Sequence, residues 1–358
     1  MNDNTLHFHW LIALVSLLIS TDLFAKQAFE LMTLRNDGSI ANSGLYNSDR
    51  PAVSSDGRFV TFRSGAEQLV SPATRQFNIF LRDTQLNTTE LISVSSAGVE
   101  GNNSSEISDV SDDGCLVVFS SYASNLVDGD TNGTVDIFLR NRCATPATTT
   151  RISKRIDGSQ TSAGNYNPDI TPDGQYIAYG NYEFGVVRYD VKNDITLPLT
   201  GDKKEGDQPA ISDDGNRVAF YSNRQLIDTD TNNVWDIYLW DATAGLALVS
   251  TSSTGTLREQ GDESASRIVS PSISGDGRYV SFVTTAANLV AGDTNGFQDV
   301  FVKDTQTGLV SLASVTSNGE QGNNDSPQEQ GGRAQLSKDG TWITFESSAL
   351  NLTNGLVP

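Results

Sequence analysis

Two stretches of this chain carry oxygen-bearing side chains at alternate positions of a short loop. Asp128, Asp130, Asn132 and Asp136 occupy positions one, three, five and nine of the first, and Asp228, Asp230, Asn232 and Asp236 those of the second. A third stretch, Asp293-Thr294-Asn295-Gly296-Phe297-Gln298-Asp299, keeps the pattern but has Ala291 in the first position. Alternation in a tight loop turns such side chains inward, and the backbone carbonyls of Thr134 and Val234 stand where further oxygens are needed. A hard cation such as calcium takes roughly six to eight of them. Gly133 and Gly296 permit the sharp turn, and Asn233 tolerates left-handed geometry in the same place. A self-capping polar turn that needs no ion would use the same residues.

The census of reactive side chains narrows the chemistry. The only histidines are His7 and His9, both in the amino-terminal segment. Without them, Ser-His-Asp and Cys-His catalysis and histidine-ligated zinc are excluded from the mature chain. That segment has an apolar run from Trp10 to Ser20 and a small residue, Ala25, beyond a polar break at Thr21-Asp22. The run is too short to span a bilayer and reads as a secretory signal peptide over residues 1–25, so no stable membrane insertion is expected after its removal. Across 358 residues the formal charge is −20. Phosphate binding needs concentrated Lys and Arg, so nucleic acid and anionic membrane surfaces are disfavoured as partners. In an exported chain the two cysteines, Cys115 and Cys143, are expected to form a disulfide.

A second motif organises everything that positions these loops. Ser or Thr, one variable residue and Asp-Gly recur between β-prone runs, with glycines at Gly57, Gly114, Gly174, Gly215, Gly277 and Gly340. Asp-Gly is a hairpin signal because glycine accepts positive φ. Each copy joins a strand A to a strand B, such as Leu116-Val117-Val118-Phe119. An acidic loop or its degenerate equivalent then leads to a strand C, such as Asp136-Ile137-Phe138-Leu139, and an outer strand D follows. Six such units at these intervals predict an all-β fold, a six-bladed β-propeller of four-stranded antiparallel blades over residues 26–358. Only five C strands can be found, so the last blade is expected to be incomplete, as in a chain cut before its sixth C strand. Phe29 to Gly38 reads as a D strand with its following loop.

The recurring Ser-x-Asp-Gly, the Asn-Leu-Val at Asn125-Leu126-Val127 and Asn288-Leu289-Val290, and Asp-Ile/Val-Phe-Leu/Val resemble the TolB-like, WD-repeat-like β-propeller repeats of bacterial exported proteins. The resemblance implies the fold and a periplasmic or secreted location. TolB's additional amino-terminal α/β domain has no counterpart here. The acidic loops themselves resemble the calcium hairpins of integrin-type propellers and the first nine positions of an EF-hand loop. Leu139 and Leu239 stand where an EF-hand has glutamate, which points to calcium binding of the weak extracellular class.

In a propeller the A strands line the channel, and the loops entering them carry Arg50, Asp109, Asp169, Asp207, Arg267 and Arg333. Such a mixed-charge mouth suits a protein or a polar or carbohydrate ligand. The leading expectation is a monomeric, exported, non-catalytic binding or scaffold module stabilised by calcium. The alternative is a carbohydrate-active enzyme working through paired carboxylates, which needs no histidine.

Overall fold

The computed structural model describes residues 31–41, 48–201, 206–259, 269–326 and 334–352. The signal segment 1–25, the first part of the expected D strand at Phe29 and Glu30, Arg267 and Arg333 lie outside the described residues. Six antiparallel sheets follow one another along the chain. Five have four strands each: β1–β4 (48–91), β5–β8 (105–151), β9–β12 (165–198), β13–β16 (207–248) and β17–β20 (269–312). The sixth consists of β21 (Gln335–Leu336) and β22 (Ile343–Thr344). The five larger sheets pair their strands in sequence order, A to B to C to D, and the sixth pairs A to B, which is an incomplete six-bladed β-propeller. The first three blades belong to a compact unit spanning Val15–Lys204, and the last three to the unit containing Glu205–Pro358.

The A–B turn folds from its own four residues. In the first blade the Ser54 hydroxyl donates to Asp56 Oδ1 (2.7 Å), the same oxygen accepts the Arg58 amide (2.9 Å), and Gly57 N donates to Ser54 O (2.9 Å). The hydroxyl-to-carboxylate bond returns at Ser111–Asp113, Thr171–Asp173, Ser212–Asp214, Ser274–Asp276 and Ser337–Asp339, all at 2.6–2.7 Å. Glycine is needed here for two reasons. At Gly114 φ is +68°, and a Cβ would stand 2.6 Å from the Phe59 ring of the preceding blade. The turn is therefore also a packing surface.

Alternation along the B and C strands buries one aromatic from each, and the pair meets inside the blade. Ring centroids lie 5.8 Å apart for Phe62–Phe80, 5.7 Å for Phe119–Phe138, 6.0 Å for Phe220–Tyr238 and 5.8 Å for Phe282–Phe301. Fully burying one such side chain contributes about 1.5–3 kcal/mol. Neighbouring blades share further clusters, for example Phe59, Ile79 and Leu81 with Val110, Val117 and Phe119.

Residues 31–35 differ from the expected strand. Leu34 makes an isolated bridge with Ile40, closing a small hairpin. Thr89 Oγ1 donates to Leu34 O (2.6 Å), as Thr149 Oγ1 donates to Val94 O (2.6 Å) one blade later. The segment therefore matches the hairpin that follows a D strand, seen again at Val94–Glu100, Lys154–Gln160, Thr251–Leu257 and Val315–Gln321.

Candidate functional site

The three acidic loops share one frame. Asn132 Oδ1 accepts the Thr134 amide (3.1 Å), Asn232 Oδ1 that of Val234 (3.4 Å) and Asn295 Oδ1 that of Phe297 (3.0 Å). Gly133, Asn233 and Gly296 take φ of +67°, +57° and +71°, the left-handed turn expected of them. The last carboxylate of each loop, Asp136, Asp236 or Asp299, opens its C strand and is fully buried. Its Oδ1 accepts a serine hydroxyl from beyond the D strand: Ser153 at 2.5 Å, Ser250 at 2.6 Å and Ser314 at 2.5 Å. Burial raises the proton affinity of all three carboxyls, and that of Asp299 is pushed up to about 6, with Asp293 and Asp325 adding like charge.

The loops differ at the second oxygen of that carboxylate. Asn132 Nδ2 donates to Asp136 Oδ2 (2.9 Å), and Asn295 Nδ2 to Asp299 Oδ2 (2.8 Å). Both amides also donate to a carbonyl of the following hairpin, Thr161 O and Gly322 O (3.1 Å each), and in the fourth blade Asn232 Nδ2 makes the corresponding bond, to Arg258 O (3.3 Å). There Asp236 Oδ2 has no hydrogen-bond partner, although the nearby amide offsets part of the desolvation. Asp230 Oδ1, in a side chain also buried, has none either. Its other oxygen accepts a very short bond from the Tyr238 hydroxyl. The Arg258 guanidinium lies 3.5 Å from Asp236 Oδ1 and is itself 1% exposed.

Of the remaining expected ligands, Asp128 and Asp228 are exposed. Asp130 lies 3.4 Å from Arg151, and Asp293 Oδ1 accepts Gln321 Nε2 (3.2 Å). Among the described residues no three His, Cys, Asp or Glu side chains stand in a common metal-holding group. The donor set for an ion is therefore two carboxylates at most, with amide, carbonyl and water oxygens.

The expected disulfide between Cys115 and Cys143 is formed, with Cα atoms 5.1 Å apart. It links the start of β6 (Leu116–Ser121) to the end of β7 (Asp136–Asn141) and closes the hairpin that carries loop 128–136.

The A strands bend close to the described residues expected at the channel mouth. Each of the five longer ones carries a register shift, and Arg50, Asn167 and Gln208, each followed by proline, take φ of +52°, +51° and +49°. Bulges of this kind re-aim side chains. Arg50 pairs with Glu106 (3.1 Å), which also accepts from Arg63, while Arg63 grips Asp49 (2.7 Å). Asp109 Oδ2 accepts the Ile170 amide (2.9 Å). Asp169 is on β9 (Asn165–Ile170) and Asp207 opens β13 (Asp207–Ile211), both half-buried.

Sequence reasoning passed over the variable residue of Ser-x-Asp-Gly, which laces neighbouring turns. Asp112 N donates to Pro172 O (2.8 Å), Asp213 N to Gly275 O (2.9 Å) and Gly275 N to Lys338 O (2.7 Å). Asp112 also accepts from Ser55 N and Oγ (2.8 and 2.6 Å), and Lys338 Nζ reaches Asp213 Oδ1 (2.6 Å). The serines that hold the loop carboxylates were also missed, although Ile92-Ser93, Ile152-Ser153, Val249-Ser250 and Ala313-Ser314 repeat in the sequence.

Comparison with known proteins identifies the architecture. No protein-family model and no curated protein matches the chain. Solved structures do. An oligogalacturonate lyase in complex with manganese matches with a TM-score of 0.53 at 11% identity, over 86% of this chain and 73% of that one. The β-propeller domain of the Trilobed protease from Pyrococcus furiosus matches at 0.50 and 10%, over 82% and 77%. TolB from Acinetobacter baumannii gives 0.46 and 20%, over 76% of this chain, which spans 55% of that chain's length. The likeness to the first two is one of fold, a β-propeller.

Proposed function

We propose that this is an exported, monomeric, non-catalytic propeller of the periplasm or cell exterior, with calcium in its B–C hairpin loops bracing the blades. It takes a protein or a polar or carbohydrate ligand, with the charged A-strand residues Arg50, Asp109, Asp169 and Asp207 as candidate contacts. The observation that carries the binding reading is the state of the A-strand acids: Asp49 and Glu106 are held by arginine and Asp109 by a backbone amide. A carboxylate-dependent glycosidase needs two acids free to exchange protons with substrate or water. Engagement of these side chains in fixed bonds favours recognition over turnover.

Calcium supplies charge neutralisation and a cross-link between loop and strand. The bare oxygens of Asp230 and Asp236 support it, because a buried carboxylate oxygen without a partner is costly. The test is incubation with a panel of soluble neutral and acidic oligosaccharides in calcium buffer, reading thermal shift and newly formed chain ends together. Stabilisation by a ligand that stays intact is the expected result. Accumulation of cleaved product would contradict the non-catalytic reading.

A further inference from the structure

We infer that loop 228–236 is a single-cation site, and that the two loops resembling it are closed by an asparagine amide in place of an ion. The inference rests on the calcium reading above and specifies where the ion sits. In loops 128–136 and 293–299 the Asn132 and Asn295 amides donate to the second oxygen of Asp136 and Asp299, so an N–H group already occupies the position of a cation. In loop 228–236 the corresponding oxygen, Asp236 Oδ2, is bare, and so is Asp230 Oδ1. Both side chains are more than nine-tenths buried, Asp230 at 3% exposure and Asp236 at 0%.

The fourth blade also holds its acids in place as the others do not. Tyr238 stands where the second and fifth blades have Phe138 and Phe301, and its hydroxyl pins Asp230 by Oδ2, leaving Oδ1 free. Arg224 O lies 2.9 Å from the same hydroxyl and the Leu226 amide donates to it (3.4 Å), which keeps the phenol against the loop. Ser250 and Arg258 hold Asp236 from the Oδ1 side. Arg258 offsets one of the two buried negative charges and is itself held by Trp235 O and Thr284 Oγ1. One negative charge and two unused oxygens remain, in the same loop as Asn232 and Val234. Tyr238 is thus a positioning residue for a hard divalent cation of calcium's class.

Trp235 makes the site separately readable. It lies between Val234 and Asp236, where the other loops have Val135 and Gln298. Terbium, which substitutes for calcium at oxygen sites, emits when excited through a nearby indole. The chelator-treated protein is titrated with terbium and, separately, with calcium by calorimetry. One ion per chain, calcium-displaceable emission, roughly tenfold loss of that emission in Trp235→Phe, and several-fold weaker binding in Tyr238→Phe are expected. Two or three ions per chain, or emission undiminished in Trp235→Phe, would place the ions in the other loops and overturn the inference. Absence of both heat and emission would overturn the calcium reading itself.

Discussion

Replacing Cys115 and Cys143 together with serine gives a prediction whose size follows from the fold. The disulfide closes a loop of sequence separation 28. Loop-closure entropy for that length corresponds to about 3.5 kcal/mol at 25 °C. The native state should change little, because Leu116 pairs with Asn141 and Arg142 N donates to Cys115 O at 2.9 Å with or without the sulfur bridge. The loss therefore belongs to the unfolded chain, which becomes freer when the cross-link is removed. Urea unfolding followed by tryptophan fluorescence should show a lower midpoint together with a steeper dependence on denaturant, since the uncrosslinked chain exposes more surface. A loss under about 1 kcal/mol with an unchanged slope would refute the argument that the bridge acts through the unfolded state.

Three further outcomes are expected. Gly275→Ala places a Cβ 2.3 Å from Asp213 Oδ2 and 3.0 Å from Lys338 O, so the Asp213 carboxylate must turn away and the laced backbone give slightly. Its unfolding free energy should fall by about 1–3 kcal/mol. Lys338→Met removes the exposed ion pair with Asp213 and should cost less than about 1 kcal/mol in the same assay. Glu183 is held at about 2 by its bonds to Arg155 and Ser162, below its ordinary 4.5. A lowered carboxyl contributes stability that is complete above pH 4.5 and is lost as pH falls towards 2, so Glu183→Gln should flatten the acid limb of the stability curve in that window.

The blade count was legible because its signal is local. Ser-x-Asp-Gly folds from four consecutive residues, and the alternation of the B and C strands needs no knowledge of neighbours. The disulfide was legible for the same reason, since the hairpin brings Cys115 and Cys143 together. The lacing of the turns was not, because Lys338 meets Asp213 across 125 residues and nothing local marks the variable position as a contact. The acidic loops were legible as a set but not as individuals. All three loop asparagines donate to a carbonyl of the following hairpin, and whether the amide also bonds the second oxygen of its own aspartate, as in Asn132 and Asn295, depends on what packs beyond it. In the fourth blade that is Arg258, at a position held by Gly101, Thr161 and Gly322 elsewhere, and Tyr238 is a hydroxyl added to an otherwise repeated phenylalanine. The hairpin at 34–40 was half legible: its turn was recognised, while the bridge that closes it, repeated at 94–100, 154–160, 251–257 and 315–321, was not.

Thermal unfolding in calcium and in chelator tests the account most directly. An ion bound only by the native state stabilises it by RT ln(1 + [L]/Kd), which at ten to a hundred times Kd is about 1.4–2.7 kcal/mol. The account predicts that the midpoint rises by several degrees in millimolar calcium, and that the rise disappears with chelator and in Asp230→Asn. A midpoint that is the same in calcium and in chelator would contradict it.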